Sequence, residues 1–322
     1  MDKSNNLNII RFTLAYTVFI SHFIYLNNIS FYNSFFENMA SFAVKSFFLI
    51  SGLLITRSYL NRKSLYDFYK KRALRIFPAY YLMLMVLLIF SLFSSEEKFM
   101  SYENFTYFLY NFIFLNFLNP INPNFFTDNF SKITNGSLWT IKIELCLYFI
   151  TPLLIKIINK KILKIILIII LSTIWFLFFS MHEIEKFKPL AIQFPGQLRF
   201  FLFGSIIYLY YKDFVIKPFS YMIIISFAII SYIKMKLLFI IFEPILIGFL
   251  IYFIGLKHKK ITFIKSDISY GIYLFHFPII QAFITHDNFG ISLIYIFFIQ
   301  SVLIILLSFL SWNVIEKKIL GR

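Results

Sequence analysis

The stretch "NIIRFTLAYTVFISHF", residues 8–23, sets an arginine and a histidine into an otherwise apolar run. Arg11 and His22 are eleven residues apart, and eleven helical steps of about 100° return to within about 20° of the starting direction. Both side chains therefore share one face of a helix, about 16.5 Å apart along its axis. No small-residue cleavage site follows the run, so it reads as a mature membrane helix rather than a secretory leader. Arg11 falls at the expected membrane edge and His22 deeper within it.

The rest of the chain has the same character. Its 322 residues are 60% hydrophobic and 22% aromatic, with 14% charged, and the mean hydropathy is +0.78. That balance excludes an ordinary soluble domain and predicts a membrane protein. Apolar runs long enough to cross a hydrocarbon core recur at residues 7–28, 39–60, 76–95, 138–157, 162–180, 196–211, 215–233, 237–256, 268–286 and 290–312. Strand-like alternation is missing, so the expected fold is an all-α, polytopic transmembrane helical bundle of about ten helices. Residues 104–118 form a shorter run ahead of a polar, proline-containing loop, and read as re-entrant or interfacial.

Charge sets the expected orientation. With the amino terminus in the cytosol, 20 lysines and arginines fall in inside segments and 6 in outside segments, which favours both termini inside. The formal net charge of +16 then reads as cytosolic anchoring, with no nucleic-acid partner expected. Cys146 is the only cysteine, so neither an internal disulfide framework nor a cysteine-rich metal site is expected. The longest loop, 96–137, is too short for an independent core of ordinary size. The reading is one membrane-embedded domain over 1–322 with no additional soluble domain, whose chemistry sits among the helices or at their mouths.

Four stretches carry ionisable groups where lipid makes them costly. His22 has the chemistry to accept a proton from a hydroxyl and return it to a leaving group, or to serve structurally by hydrogen bonding to a neighbouring helix. In "YDFYKKRALRIFPAYY", residues 66–81, Arg72 and Arg75 are three apart and share a helix face, where two guanidinium forks suit phosphate oxygens. The alternative is a positive-inside anchor. In "GSLWTIKIELCLYF", residues 136–149, Glu144 lies inside an apolar helix and needs a partner or a proton; His22, Lys45 and Arg199 are the options. In "SDISYGIYLFHFPII", residues 266–280, His276 either lines the same cavity or satisfies a backbone carbonyl freed by Pro278.

Taken together these stretches resemble the integral-membrane acyltransferase-3 family, whose members O-acylate surface glycans and related acceptors. Arg11 and His22 resemble its arginine, ten residues, histidine pattern; "FFLISGLLITRSYL", containing Ser51, its second-helix serine-glycine motif; and "FYKKRALRIFPAYYL" its basic segment. "SLWTIKIELCLYF", with Trp139 and Glu144, resembles its tryptophan-to-glutamate motif, and "SYGIYLFHFP" its late Tyr-x-x-His stretch. "QLRFFLFGSIIY" and "SWNVIEKKIL" are weaker matches. The resemblance covers residues 8–318 in the family's order.

The resemblance implies an acyl-CoA donor, commonly acetyl-CoA, entering from the cytosol, and a membrane acyltransferase that needs no metal. Carried over by position, His22, Arg11 and Glu144 become catalytic, Arg72 and Arg75 donor ligands, and Ser51, Trp139 and His276 residues of the substrate cavity. The acceptor is expected to be a hydroxyl of a surface polysaccharide, a lipopolysaccharide or a lipid-linked glycan precursor, at the bacterial inner membrane among its lipids. Alternatives are transfer of succinyl or another acyl group to a different acceptor, or transport of a glycan or acyl carrier. This sequence departs from the family's pattern in carrying Lys45, Lys317 and a single glutamate in "IELCL". Oligomeric state is left open.

Overall fold

The computed structural model describes residues 5–30, 33–92, 99–158, 161–210, 232, 235–258, 266–285 and 292–319. Among these the chain is all-α. The helices are α1 (Leu7–Leu26), α2 (Ser34–Leu60), α3 (Leu65–Ser91), α4 (Tyr102–Phe112), α5 (Trp139–Ile158), α6 (Ile162–Ser180), α7 (Phe194–Leu209), α8 (Lys236–Leu250), α9 (Ser269–Thr285) and α10 (Leu293–Leu310). Two short 3-10 segments, Gly136–Leu138 and Glu185–Ile192, precede α5 and α7, and π-helical turns at Ile251–Lys257 and Ser311–Glu316 continue α8 and α10.

Seven of the described helical stretches are long and apolar enough to cross a membrane, and the protein is an integral, multi-pass membrane protein. α5, which carries Lys142, Glu144 and Lys156, is not among the seven, and neither is α9 with its 17 residues. The expected crossing at 215–233 lies, apart from residue 232, outside the described residues. The expected helix at 76–95 instead begins at Leu65, so the basic segment forms the first turns of α3. Its 3.6-residue spacing of Phe68, Arg72, Arg75 and Ile76 suits a helix as well as the apolar run beyond it. α4 has eleven residues, about 16.5 Å of helix, too short to cross a hydrocarbon core.

Contacts group the chain into two interleaved units. One comprises Met1–Ile10, Val44–Phe68 and Ile143–Ile261. Here α2 and α7 pack through small residues: a Cβ on Gly52 would strike the Phe201 backbone, and one on Gly204 the Leu49 carbonyl. Small residues let helix backbones approach this closely in lipid, and Thr56 donates to Ser205 beside them at 2.9 Å. Pro244 in α8 has no N–H, which leaves the Ile240 carbonyl without its helical donor. The fully buried Arg199 fills that vacancy from α7 at 2.9 Å. Its guanidinium also lies 3.6 Å from Glu243 and over the rings of Phe176 and Phe200. Lys45 supplies the second cation to Glu243, at 2.7 Å.

The other unit comprises Arg11–Ala43, Tyr69–Lys142 and Thr262–Arg322. α9 packs on α10 at Gly271, where a Cβ would strike Ser308. Tyr16, Phe19 and Phe23 of α1 meet Phe297 of α10 ring to ring, and Tyr16 donates to Ser301 at 3.0 Å. The loop after α4 is tied down by side chains, as an irregular backbone at a membrane edge requires. Tyr80 donates to the Asn111 carbonyl in the last turn of α4 at 2.7 Å, and Gln281 to the loop carbonyls of Ser131 and Ile133 at 2.6 and 2.7 Å.

Candidate active site

Within this second unit, α1 and α9 touch at two levels. Arg11 reaches Asp267, which stands just before α9, and one face further along α1 His22 reaches His276. The order of these pairs, 11 with 267 and 22 with 276, makes the two helices parallel. The shared face expected for Arg11 and His22 is thus the face turned to α9.

At the first level Asp267 gathers two guanidiniums. Its Oδ2 accepts from Arg11 and, at 2.8 Å, from Arg75 of α3, and its Oδ1 accepts from the Ser269 hydroxyl at 2.8 Å. Arg75 also donates to Glu316 at 3.1 Å and lies over the rings of Tyr270 and Trp312. Glu316 is fully buried, and its other oxygen accepts from Ser311 at 3.1 Å. The π-turn Ser311–Glu316 holds both of those residues, a local widening of the kind that often re-aims side chains at functional sites. Burial pushes the Asp267 carboxyl up, but Arg11, Arg75 and Ser269 outweigh it and leave the group at about 2 against an ordinary 3.8.

At the second level His22 Nδ1 lies 2.8 Å from His276 Nε2. The ring planes are within 11° of each other and the centroids are 5.1 Å apart. That separation is what two ring radii plus the nitrogen-to-nitrogen distance add up to, so the rings meet edge to edge. His276 is fully buried and its Nδ1 lies 3.0 Å from the Ile272 carbonyl, while His22 is half-buried. Phe277 packs its ring against His22, with centroids 5.3 Å apart.

Pro278 frees the Leu274 carbonyl, four residues before it, rather than that of Ile272. Asn135 takes that role, donating to Leu274 at 3.0 Å while its own oxygen accepts from the Ser137 hydroxyl at 2.6 Å. Thr140, in the first turn of α5, donates to Tyr273 at 3.0 Å, and the Gly136 backbone lies against the Phe277 ring. The motif around Trp139 and the late Tyr-x-x-His stretch are therefore neighbours. Trp139 itself opens α5 and is half-buried.

Glu144 belongs to the first unit and accepts from Tyr148 one turn along the same helix, while Lys45 and Arg199 are both engaged with Glu243. Ser51 also belongs to the first unit, its buried hydroxyl without a hydrogen-bond partner among the described residues. Arg72 is half-buried one turn before Arg75, beside the exposed Lys70 and Lys71. Asp267 and Glu316 are the residues that sequence reasoning passed over. A signal existed for each, since "SDISYG" and "SWNVIEKKIL" set a lone acid at the edge of an apolar run.

A family model described as an acyltransferase domain matches residues 4–313. An O-acetyl transferase of Shigella phage Sf6 is 29% identical over 337 aligned residues, covering all of this chain and 98% of the phage protein. Nodulation protein 10 of Rhizobium leguminosarum bv. viciae is 24% identical over 298 residues, covering 85% of this chain and 80% of that protein. No solved structure matches the chain. A match that spans nearly every residue, on a polytopic helical chain with a hydrogen-bonded imidazole pair, identifies the protein as an acyltransferase belonging to the acyltransferase-3 family.

Proposed function

We propose that this protein moves an acetyl group from acetyl-CoA to a hydroxyl of a surface polysaccharide, lipopolysaccharide or lipid-linked glycan precursor at the bacterial inner membrane. The observation that carries this reading is His22: a half-buried imidazole on a membrane helix whose Nδ1 is engaged by His276 and whose Nε2 makes no hydrogen bond among the described residues. Such a nitrogen suits proton transfer from an acceptor hydroxyl. Likeness to an O-acetyl transferase along the whole chain supports both the acyl group and the oxygen acceptor.

The donor end follows from charge. Arg11 and Arg75 meet Asp267 and Glu316 and order the mouth of the site, and Lys70, Lys71 and Arg72 on the outer turns of α3 add positive charge that suits a nucleotide-bearing thioester. Trp139 and His276 complete the proposed site residues. Purified protein in lipid, given labelled acetyl-CoA and the producer's envelope glycans, is expected to label a glycan hydroxyl in the native form and not as His22→Ala. Label that appears on no hydroxyl, or that survives in His22→Ala, rejects the reading.

A further inference from the structure

The His22–His276 pair contains more information than the position of one base. A carbonyl oxygen only accepts, so the hydrogen between Ile272 and His276 belongs to His276 Nδ1. No carboxylate is in hydrogen-bond contact with either ring among the described residues, and an imidazolium at such a site is the costlier form. With both rings neutral, His276 Nε2 holds a lone pair, and the 2.8 Å bond is donated by His22 Nδ1. His22 is then left with a bare Nε2.

We infer that His276 is a positioning residue which, anchored on the Ile272 carbonyl, holds His22 in its Nδ1–H form so that Nε2 is the nitrogen presented to the reacting hydroxyl. The inference rests on the acyl-transfer reading above. As the acceptor oxygen bonds to the thioester carbonyl carbon, its proton passes to His22 Nε2. When the tetrahedral adduct collapses and the carbon–sulfur bond breaks, that proton goes to the departing CoA sulfur. Ester and free thiol are the products, and His22 ends as it began. While Nε2 carries the proton, His22 is an imidazolium whose Nδ1–H still points at the His276 lone pair, so the same bond supports the charged form. A histidine side chain without a partner favours the hydrogen on Nε2, the wrong nitrogen for this task, which is why a partner on Nδ1 is needed.

The geometry fixes which replacement works. A glutamine side chain at 276 sets an amide oxygen where His276 Nε2 stands; asparagine is shorter and its amide reaches only the Nδ1 position. Turnover is measured with labelled acetyl-CoA and the envelope glycan for the native protein and for His22→Ala, His276→Leu, His276→Asn and His276→Gln. The expected result is a loss of about a hundredfold or more in kcat for Leu and Asn, recovery to within about tenfold of native for Gln, and a donor KM within about twofold throughout. Leu or Asn variants that are folded and turn over within about threefold of native overturn the relay while leaving acyl transfer intact; loss of His22 dependence in the native protein overturns the acyl-transfer reading instead.

A second measurement does not need turnover. Nitrogen-15 solid-state NMR of histidine-labelled native protein in lipid, with His22 assigned by its loss in His22→Ala, is expected to show His22 protonated at Nδ1 and bare at Nε2. A His22 signal protonated at Nε2 overturns the inference whatever the activity.

Discussion

Arg75 donates to Asp267 across 2.8 Å, tying the third helix to the residue that leads into the ninth. Because Asp267 also holds Arg11 of the first helix, one buried carboxylate is the junction of three helices. Its removal therefore changes stability and pH response together.

The carboxyl of Asp267 titrates at about 2 in the folded protein and at an ordinary 3.8 when released. A lowered folded value means the contribution is complete above about pH 4 and is lost as the pH falls towards 2. The linkage is worth about 2 kcal/mol. Asp267→Asn is expected to melt lower at neutral pH and to show a flatter fall in melting temperature between pH 5 and 3. Parallel acid limbs for the two proteins would refute this.

Removing Arg75 leaves Glu316 fully buried without its cation. Stranding such a charge costs about 3–5 kcal/mol, so Arg75→Ala is expected to unfold at a distinctly lower temperature. Arg75→Ala combined with Glu316→Gln recovers at least about 1 kcal/mol of that loss, because the orphaned charge is gone. Additive losses in the double variant would show that the pair does not interact.

Arg72 is proposed to meet the donor. Arg72→Glu is expected to raise the KM for acetyl-CoA about tenfold or more, with a smaller change in kcat. An unchanged KM removes Arg72 from the donor site.

Arg199 is a buried cation with a structural task, spanning Glu243 and the proline-freed Ile240 carbonyl. Arg199→Leu is expected to cost about 3 kcal/mol of stability. Arg199→Lys recovers little, since one ammonium replaces neither the planar stack on Phe176 nor the guanidinium's reach from the Ile240 carbonyl to Glu243. Full recovery by lysine, read by thermal melting in detergent, would contradict this.

Gly204 lies where a Cβ meets the Leu49 carbonyl, and backbone cannot yield as a side chain can. Gly204→Val is expected to block the approach of α2 and α7 and prevent accumulation of folded protein in the membrane. Native-like yield and melting temperature would show that the two helices tolerate separation.

What the sequence by itself determined follows from local physics. Apolar run lengths set the helices, eleven-residue spacing put Arg11 and His22 on one face, and motif order placed the chain in its family. Each depends on residues near one another along the chain, where the period of a helix and the thickness of a bilayer leave few choices. Partner choice is different in kind. In sequence Lys45 and Arg199 were options for Glu144, and the tertiary structure turns both to Glu243. His276 was legible as either a cavity residue or a carbonyl cap; the fold makes it a cap on Ile272 and a partner for His22, and gives the carbonyl freed by Pro278 to Asn135. Asp267 and Glu316 gained their meaning only when folding brought Arg11 and Arg75 to them. A buried charge states in sequence that it needs a counterpart, but which one it finds depends on how distant helices pack.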